Sequence, residues 1–265
     1  MNINGREIGS GHPPYIVGEV SGEHRGSFEN ARDIIRALKE AGADAAKLQH
    51  FGPYRLAEAR GGADKVLTEG LWAGRSLLSI YCETVTPKSW FPDLFAYAKN
   101  IGITLFSSVF DEDGVDYLET LGCPTYKVAS REAADVDLVK AAASTGKPVI
   151  ISTGTATEDD LGRSVAAAAK HTNQIALLYC VSEYPTRMES LDFDEIGRLR
   201  HRFQVPVGFS DHTVGIDAAV EAVKAGACII EKHITLSRAE GGLDAAFSLE
   251  PHELKELVQR VKDAR

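Results

Sequence analysis

The sequence is poor in the features that mark secreted, membrane-spanning or nucleic-acid-binding chains. Only four of its 265 residues are cysteine, Cys82, Cys123, Cys180 and Cys228. None forms a C-x-x-C pair, which argues against a zinc knuckle, a dithiol redox motif or a disulfide scaffold. Cys228 lies in an apolar run and reads as a buried, inert thiol. No stretch reaches the roughly 18 apolar residues of a membrane helix. Met1-Asn2-Ile3-Asn4-Gly5-Arg6 holds no apolar signal core, and no N-x-[ST] acceptor site occurs. Positive charge is also scarce: 29 Lys and Arg stand against 38 Asp and Glu, a net charge of −9. No global positive field exists to attract nucleic acid or an anionic membrane, so any phosphate or carboxylate ligand must be met by a few local cations. The expectation is a cytoplasmic protein with neither kind of partner.

What the chain does have is regular alternation. Short apolar, β-branched runs are each followed by a helix-like segment rich in Ala, Leu, Lys and Glu. The runs predict strands near Tyr15–Val20, Ala45–Gln49, Thr104–Ser107, Tyr126–Ala129, Val149–Ser152, Ile175–Tyr179, Val207–Ser210 and Ile229–His233. Helical patterns cover Phe28–Ala41, Pro87–Asn100, Asp111–Leu121, Asp135–Ser144, Glu158–Lys170, Leu191–His201, Gly215–Ala225 and Glu253–Lys262. Thr86-Pro87 reads as an N-cap followed by Pro, and Thr157 with Asp160 as a capping box. Strand–helix alternation implies a parallel sheet buried on both faces, and eight units in this length match a closed (β/α)₈ TIM barrel, one domain over residues 1–265. An open doubly wound sheet is the alternative, but no G-x-G-x-x-G follows the first strand and no P-loop occurs. Asn4-Gly5 predicts a short N-terminal hairpin that caps the bottom of the barrel. Residues 50–86 read as one long loop on the active-site face.

In a barrel the strand C-termini converge on one rim, so polar residues far apart in sequence meet there. Those ends carry Glu19; Lys47 and Gln49; Ser107 and Ser108; Lys127 and Ser130; Ser152 and Thr153; Ser182, Glu183 and Tyr184; Ser210, Asp211 and His212; and Glu231, Lys232 and His233. Residues two apart on a strand face the same way, which turns Lys47 with Gln49 and Glu231 with His233 inward and leaves Lys232 facing the helices. Buried Lys and Glu are costly unless paired or engaged by a ligand. A structural ion-pair lattice is the plain alternative; two Lys, two Glu and a ring of Ser at one rim favour a ligand. His212 and His233, on adjacent strands, could supply two imidazoles to one divalent metal with positions left for water or substrate. His171 and His201 read as helix-end residues, and the stripe Leu254, Leu257, Val258 and Val261 as a core face. No G-x-S-x-G elbow supports acyl transfer.

With these residues placed, the chain resembles the sialic acid (nonulosonic acid) synthase family along nearly its whole length, and the pseudaminic acid synthase branch within it. The matching motifs include Gly18-Glu19-Val20-Ser21 with His24-Arg25-Gly26-Ser27; Ala46-Lys47-Leu48-Gln49; Gly70-Leu71-Trp72-Ala73-Gly74; Phe106-Ser107-Ser108; and Tyr126-Lys127-Val128-Ala129-Ser130. Later come Ser152-Thr153-Gly154, Tyr184-Pro185, Gly208-Phe209-Ser210-Asp211-His212-Thr213, Glu231-Lys232-His233, and Gly241-Gly242-Leu243-Asp244 running on to Glu250. The resemblance implies metal-dependent condensation of phosphoenolpyruvate with an acylamino sugar aldehyde, giving a nine-carbon α-keto acid and phosphate. His212 and His233 would hold the metal, manganese first, with magnesium, cobalt or iron as alternatives. Lys47, Gln49, Lys127, Ser130, Ser152 and Ser210 would bind phosphoenolpyruvate. Glu19 and Glu231 would handle protons and water, and Tyr184 and Asp244 would contact the sugar. A homodimer is implied as well.

The departures bear on the acceptor. Glu23 stands where the family usually has Asn, His50-Phe51 follows Gln49 in place of Thr-Tyr or Thr-Phe, and Arg131 stands where the relative often has Phe. The small antifreeze-like C-terminal domain of the family, which carries an Arg to a partner's substrate, has no counterpart in these residues. It is absent, supplied by a separate chain, or part of a longer form. Two other readings stay open: a 3-deoxy-ulosonate phosphate synthase, with Arg25, Arg55 and Arg131 as cations for a phosphorylated acceptor, and a catalytically degenerate barrel that binds a sugar acid or serves as a partner subunit.

Overall fold

The computed structural model describes residues 1–264. Strands β1 (Asn2–Ile3) and β2 (Arg6–Glu7) pair antiparallel across a turn in which Asn4 and Gly5 both take positive φ, 50° and 88°. That backbone suits Asn-Gly and matches the strand twist. The hairpin closes the lower end of the molecule: Ile3 and Ile8 are buried, Asn2 N–H donates to Gln174 and the Asn4 amide to Thr104, at the entrances to two strands.

The barrel follows, with one α-helix after each strand except for the three between β4 and β5: β3 (Tyr15–Glu19), α1 (Phe28–Ala41), β4 (Ala45–His50), α2 (Pro53–Ala59), α3 (Leu77–Thr84), α4 (Phe91–Ile101), β5 (Thr104–Val109), α5 (Glu112–Thr120), β6 (Tyr126–Val128), α6 (Val136–Ser144), β7 (Val149–Ser152), α7 (Glu158–Ala168), β8 (Ile175–Tyr179), α8 (Asp194–Phe203), β9 (Val207–Asp211), α9 (Asp217–Lys224), β10 (Ile229–His233) and α10 (Pro251–Asp263). Strands β3 to β10 pair in chain order, all parallel, and β10 closes the ring on β3. The closed (β/α)₈ barrel expected from the alternation is therefore the observed fold.

Local chemistry explains the elements. Helix α1 buries Ala31, Ile34, Ile35, Leu38 and Ala41, one stripe at helical spacing, between an N-cap Ser27 that accepts from Asn30 N–H and a left-handed C-cap at Gly42 (φ 92°). Gly18 lets that helix approach: a Cβ there would lie 1.9 Å from Leu38 Cδ2. The Thr157–Asp160 capping box forms at the start of α7 as the sequence predicts. The stripe of α10 is buried as well, and Lys232 faces the helices. Among the described residues no helix is long and apolar enough to cross a membrane.

Three expectations need correction. Residues 50–86 are not a structureless loop; they contain α2 and α3, begun by Pro53 after Gly52 and by Ser76, whose hydroxyl accepts from Ser79 N–H. Thr86 is no N-cap: it is buried, and α4 begins at Phe91 after a 3₁₀ turn over Lys88–Trp90. Helix α8 starts at Asp194 rather than Leu191, because the Asp192 carboxylate accepts from Asp194 N–H and turns the chain before the helix.

Candidate active site

The register of the barrel assembles the site. Glu19 lies opposite Lys47 on one side and His233 on the other, Gln49 opposite Ser108, and Glu231 opposite Ser210. Lys47 touches the Glu19 carboxylate, donates to Ser108 Oγ at 3.0 Å and stands 3.7 Å from Glu231. Lys127 donates to Ser152 Oγ at 2.6 Å and lies 3.7 Å from the other Glu231 oxygen, which also accepts from Ser210 at 3.0 Å. Two ammoniums and two carboxylates are thus linked through Glu231, all nearly inaccessible to bulk solvent.

Burial of this depth sets the protonation states. It pushes the Lys47 ammonium down to about 8, since desolvation of the charge outweighs the Glu231 attraction. Burial acts to raise the Glu231 carboxyl, but the ammoniums of Lys127 and Lys47 overcome it and hold the group at about 2. Glu231 is a carboxylate at any physiological pH.

On the neighbouring wall the His212 and His233 rings meet edge to face with centroids 5.6 Å apart. His212 Nδ1 lies 3.3 Å from the Val181 carbonyl, which can only accept, so its proton sits on Nδ1 and Nε2 keeps a lone pair. Burial, with His233 beside it, pushes His212 down to about 3, leaving the ring neutral. His233 Nδ1 lies 3.3 Å from Asp244 Oδ2. Asp244 in turn accepts from Ser21 Oγ at 2.6 Å, and its backbone N–H donates to Glu23 at 2.9 Å. Burial opposes ionisation of Asp244, yet His233 and Ser21 hold its carboxyl below the usual range. Tyr184 packs on His212 at 4.5 Å and on Trp72 at 5.5 Å, and Trp72 Nε1–H donates to the Leu243 carbonyl.

The structure brings the twelve singled-out residues to one cavity of about 280 Å³ at the C-terminal mouth. Glu19, Lys47, Gln49 and Lys127 line its floor with Ser152, Ser210 and Glu231; Ser130, Tyr184, His212, His233 and Asp244 stand around them. Of the three cations considered for a phosphorylated acceptor, only Arg131 lines it. Arg25 pairs with Glu240, and Arg55 with Asp111 and Asp113. His50 packs away from the cavity against Phe91 and Tyr117. Sequence reasoning missed Ser21, which joins Gln49 to Asp244, and the wall supplied by Arg60, Ile80 and Tyr81. Ser21 lies two residues past the end of β3 and was open to the same reading; the wall was hidden in and just after short helices without a clear period.

A closed parallel barrel with ionised, desolvated side chains around a single cavity at its C-terminal mouth defines a barrel enzyme, since catalytic groups of this architecture gather there. The chain belongs to the NeuB family, whose model matches residues 34–265. It is 39% identical over 251 residues to the pseudaminic acid synthase of Campylobacter jejuni serotype O:2, an alignment covering 94% of this chain and 73% of the relative. Against the pseudaminic acid synthase of Helicobacter pylori it is 36% identical over 254 residues, covering 95% and 74%. The crystal structure of an N-acetylneuraminic acid synthetase from Leptospira borgpetersenii in complex with citrate superposes with a TM-score of 0.90 at 30% identity, over 100% of this chain and 88% of that one.

Proposed function

We propose that this enzyme condenses phosphoenolpyruvate with an open-chain acylamino sugar aldehyde to give a nine-carbon nonulosonic acid and phosphate. The names of its relatives support the reaction class. The observation that carries it is the Lys47–Glu231–Lys127 chain, which leaves two desolvated ammoniums facing a cavity. An anionic ligand competes with Glu19 and Glu231 for those ammoniums, while the Ser130, Ser152 and Ser210 hydroxyls and the Gln49 amide complete its hydrogen bonds. C3 of phosphoenolpyruvate attacks the aldehyde carbon, water adds at C2, and the C2–O bond breaks to release phosphate. Glu231, fixed as a carboxylate, stabilises the positive charge that develops at C2; Glu19 orients the water and accepts its proton. Tyr184 and Asp244 hold the sugar.

The two imidazoles fit a divalent cation, manganese first, with Nδ1 of each facing an oxygen and Nε2 left to coordinate. No cluster of three His, Cys, Asp or Glu with ligand geometry exists among the described residues, so water and substrate would complete the shell. Such an ion, when bound, supplies Lewis-acid polarisation of an aldehyde oxygen or of water. The family likeness also supports a cytoplasmic homodimer; a single-chain mass in light scattering would remove the dimer.

The test is product formation from phosphoenolpyruvate and a panel of acylamino sugar aldehydes with Mn²⁺. Phosphate and keto acid are expected in equal amounts, with loss on chelation and in His212→Ala and His233→Ala at unchanged melting temperature. Mn²⁺-stimulated phosphate release retained in both variants would reject the metal assignment, and no release with any acceptor would reject the condensation.

A further inference from the structure

Glu23 is buried, 2% exposed, yet it does not line the cavity. It stands in the loop between β3 and α1 and reaches across to the loop that follows β10. Its Oε1 accepts from the Asp244 backbone N–H at 2.9 Å. The Gly242 backbone runs against the same carboxyl, so closely that a Cβ there would lie 2.3 Å from Oε2. Burial pushes the Glu23 carboxyl up from the usual carboxylate range, so an ionisable group is kept here against its desolvation. Any carbonyl could satisfy a buried backbone N–H, and the use of a long carboxyl side chain calls for a reason.

The chain around Asp244 supplies one. After Asp244 a turn fastens the backbone: its carbonyl accepts from the Phe247 and Ser248 N–H groups and from Ser248 Oγ. Before it stand Gly241 and Gly242, both at positive φ, 79° and 143°, a stretch with the most backbone freedom to lose. Glu23 pins the chain where that stretch ends. The Asp244 carboxylate lies 3.3 Å from His233 Nδ1 and accepts from Ser21 Oγ at 2.6 Å, so a shift of the Asp244 backbone would release the imidazole. A second tie joins the same two loops: Arg25 donates to the Glu240 carbonyl at 2.8 Å and pairs with the Glu240 carboxylate. That tie lies on the far side of the two glycines and cannot fix Asp244.

We propose that Glu23 is a positioning residue for the imidazole pair: by its reach rather than its charge it pins the Asp244 backbone, and through the Asp244 carboxylate it holds His233 with the proton on Nδ1 and Nε2 left to coordinate. This rests on His212 and His233 as ligands of a divalent cation, as proposed above. A group that orients a ligating imidazole through its other nitrogen is worth about 10- to 100-fold in metal affinity. Glu23 acts one bond further out, which sets the expectation at the lower end, about tenfold.

The experiment compares wild type with Glu23→Gln, which keeps the reach and loses the charge, Glu23→Asp, which keeps the charge and stops one methylene short, and Arg25→Gln, which cuts the outer tie. Calorimetric titration with Mn²⁺ reads metal affinity. Nitrogen NMR of imidazole-labelled, metal-free protein reads the tautomer of the neutral His233 ring, its signals assigned by their loss in His233→Ala. Glu23→Asp is expected to bind Mn²⁺ about tenfold more weakly and to mix the two tautomers, with KM for phosphoenolpyruvate unchanged. Glu23→Gln and Arg25→Gln should match wild type. Should Glu23→Asp not fold, Gly242→Ala, whose methyl would displace the carboxyl, takes its place with the same expectation. Equal weakening in Glu23→Gln would put the effect in the charge, and equal weakening in Arg25→Gln in loop docking at large. A lower melting temperature of Glu23→Asp at unchanged Mn²⁺ affinity and tautomer would make the residue merely structural. Each of these overturns the proposal. If wild type binds no Mn²⁺, the cation reading falls, and the ring spectra judge Glu23 separately. The Nδ1–H tautomer kept in Glu23→Gln and lost in Glu23→Asp supports the proposal, and one tautomer in all variants refutes it.

Discussion

Strand β10 presents two kinds of buried charge one residue apart. Lys232 points out of the barrel, fully buried, 3.0 Å from Asp211 and donating to the Thr213 carbonyl. Glu231 and His233, on either side of it, point inward to the cavity. The outward pair is closed: a cation meets one anion and one carbonyl, with helices behind. The inward set is open: Glu231 stands 3.7 Å from each of two ammoniums that also face space for a ligand. Burial and charge are therefore shared by the structural and functional pairs, and what separates them is whether a cavity lies in front. The alternation of a strand assigns each residue to one class.

Substitution should break the comparison cleanly. On the proposed function Lys127→Met removes a buried donor to the anionic substrate, and truncating one side of a desolvated charge pair costs about 2–5 kcal/mol, roughly 30- to 5,000-fold. Steady-state kinetics should show that loss in kcat/KM for phosphoenolpyruvate. Lys232→Met leaves Asp211 buried without its cation, which costs about 3–5 kcal/mol of stability. Denaturant unfolding should register it, while kcat/KM of the folded enzyme stays within about threefold of wild type. A variant of the outward pair that lost activity first, at full stability, would erase the distinction.

A smaller effect follows from pH. Burial holds Lys47 at about 8, so if its ammonium binds substrate as proposed, that charge is lost above this pH and kcat/KM for phosphoenolpyruvate should fall on the alkaline side. The sign for stability is opposite. The folded value lies below the ordinary lysine value near 10.4, so the unfolded chain binds more protons between the two, and this group's contribution to stability rises with pH across that window. Activity and this part of stability therefore diverge above pH 8. Lys47→Arg, which stays charged, should remove the alkaline limb of whatever activity it keeps.

Much of this was legible because strand ends are written in residue type. Apolar β-branched runs closing on Lys47, Lys127, Ser152, Ser210 or Glu231 declare both a parallel strand and the polarity of its mouth, and the barrel then brings them together. The Thr157–Asp160 box announced a helix start by local chemistry. What escaped depended on long-range packing. Helices α2 and α3 have seven and eight residues, too short for a hydrophobic period to stand out from a loop. Thr86 has the residue type of a cap but lies buried, so tertiary placement overrode propensity. Arg60 carried no pattern at all, because its partners Tyr81 and Glu132 are 21 and 72 positions away.

The central claim is that the inward-facing charges hold phosphoenolpyruvate while its C2–O bond breaks. Its most direct test supplies phosphoenolpyruvate labelled with ¹⁸O in the bridging position, together with an acylamino sugar aldehyde and Mn²⁺, and follows the label by mass spectrometry. The account predicts that the label leaves entirely in the phosphate, and label retained in the nine-carbon keto acid would contradict it.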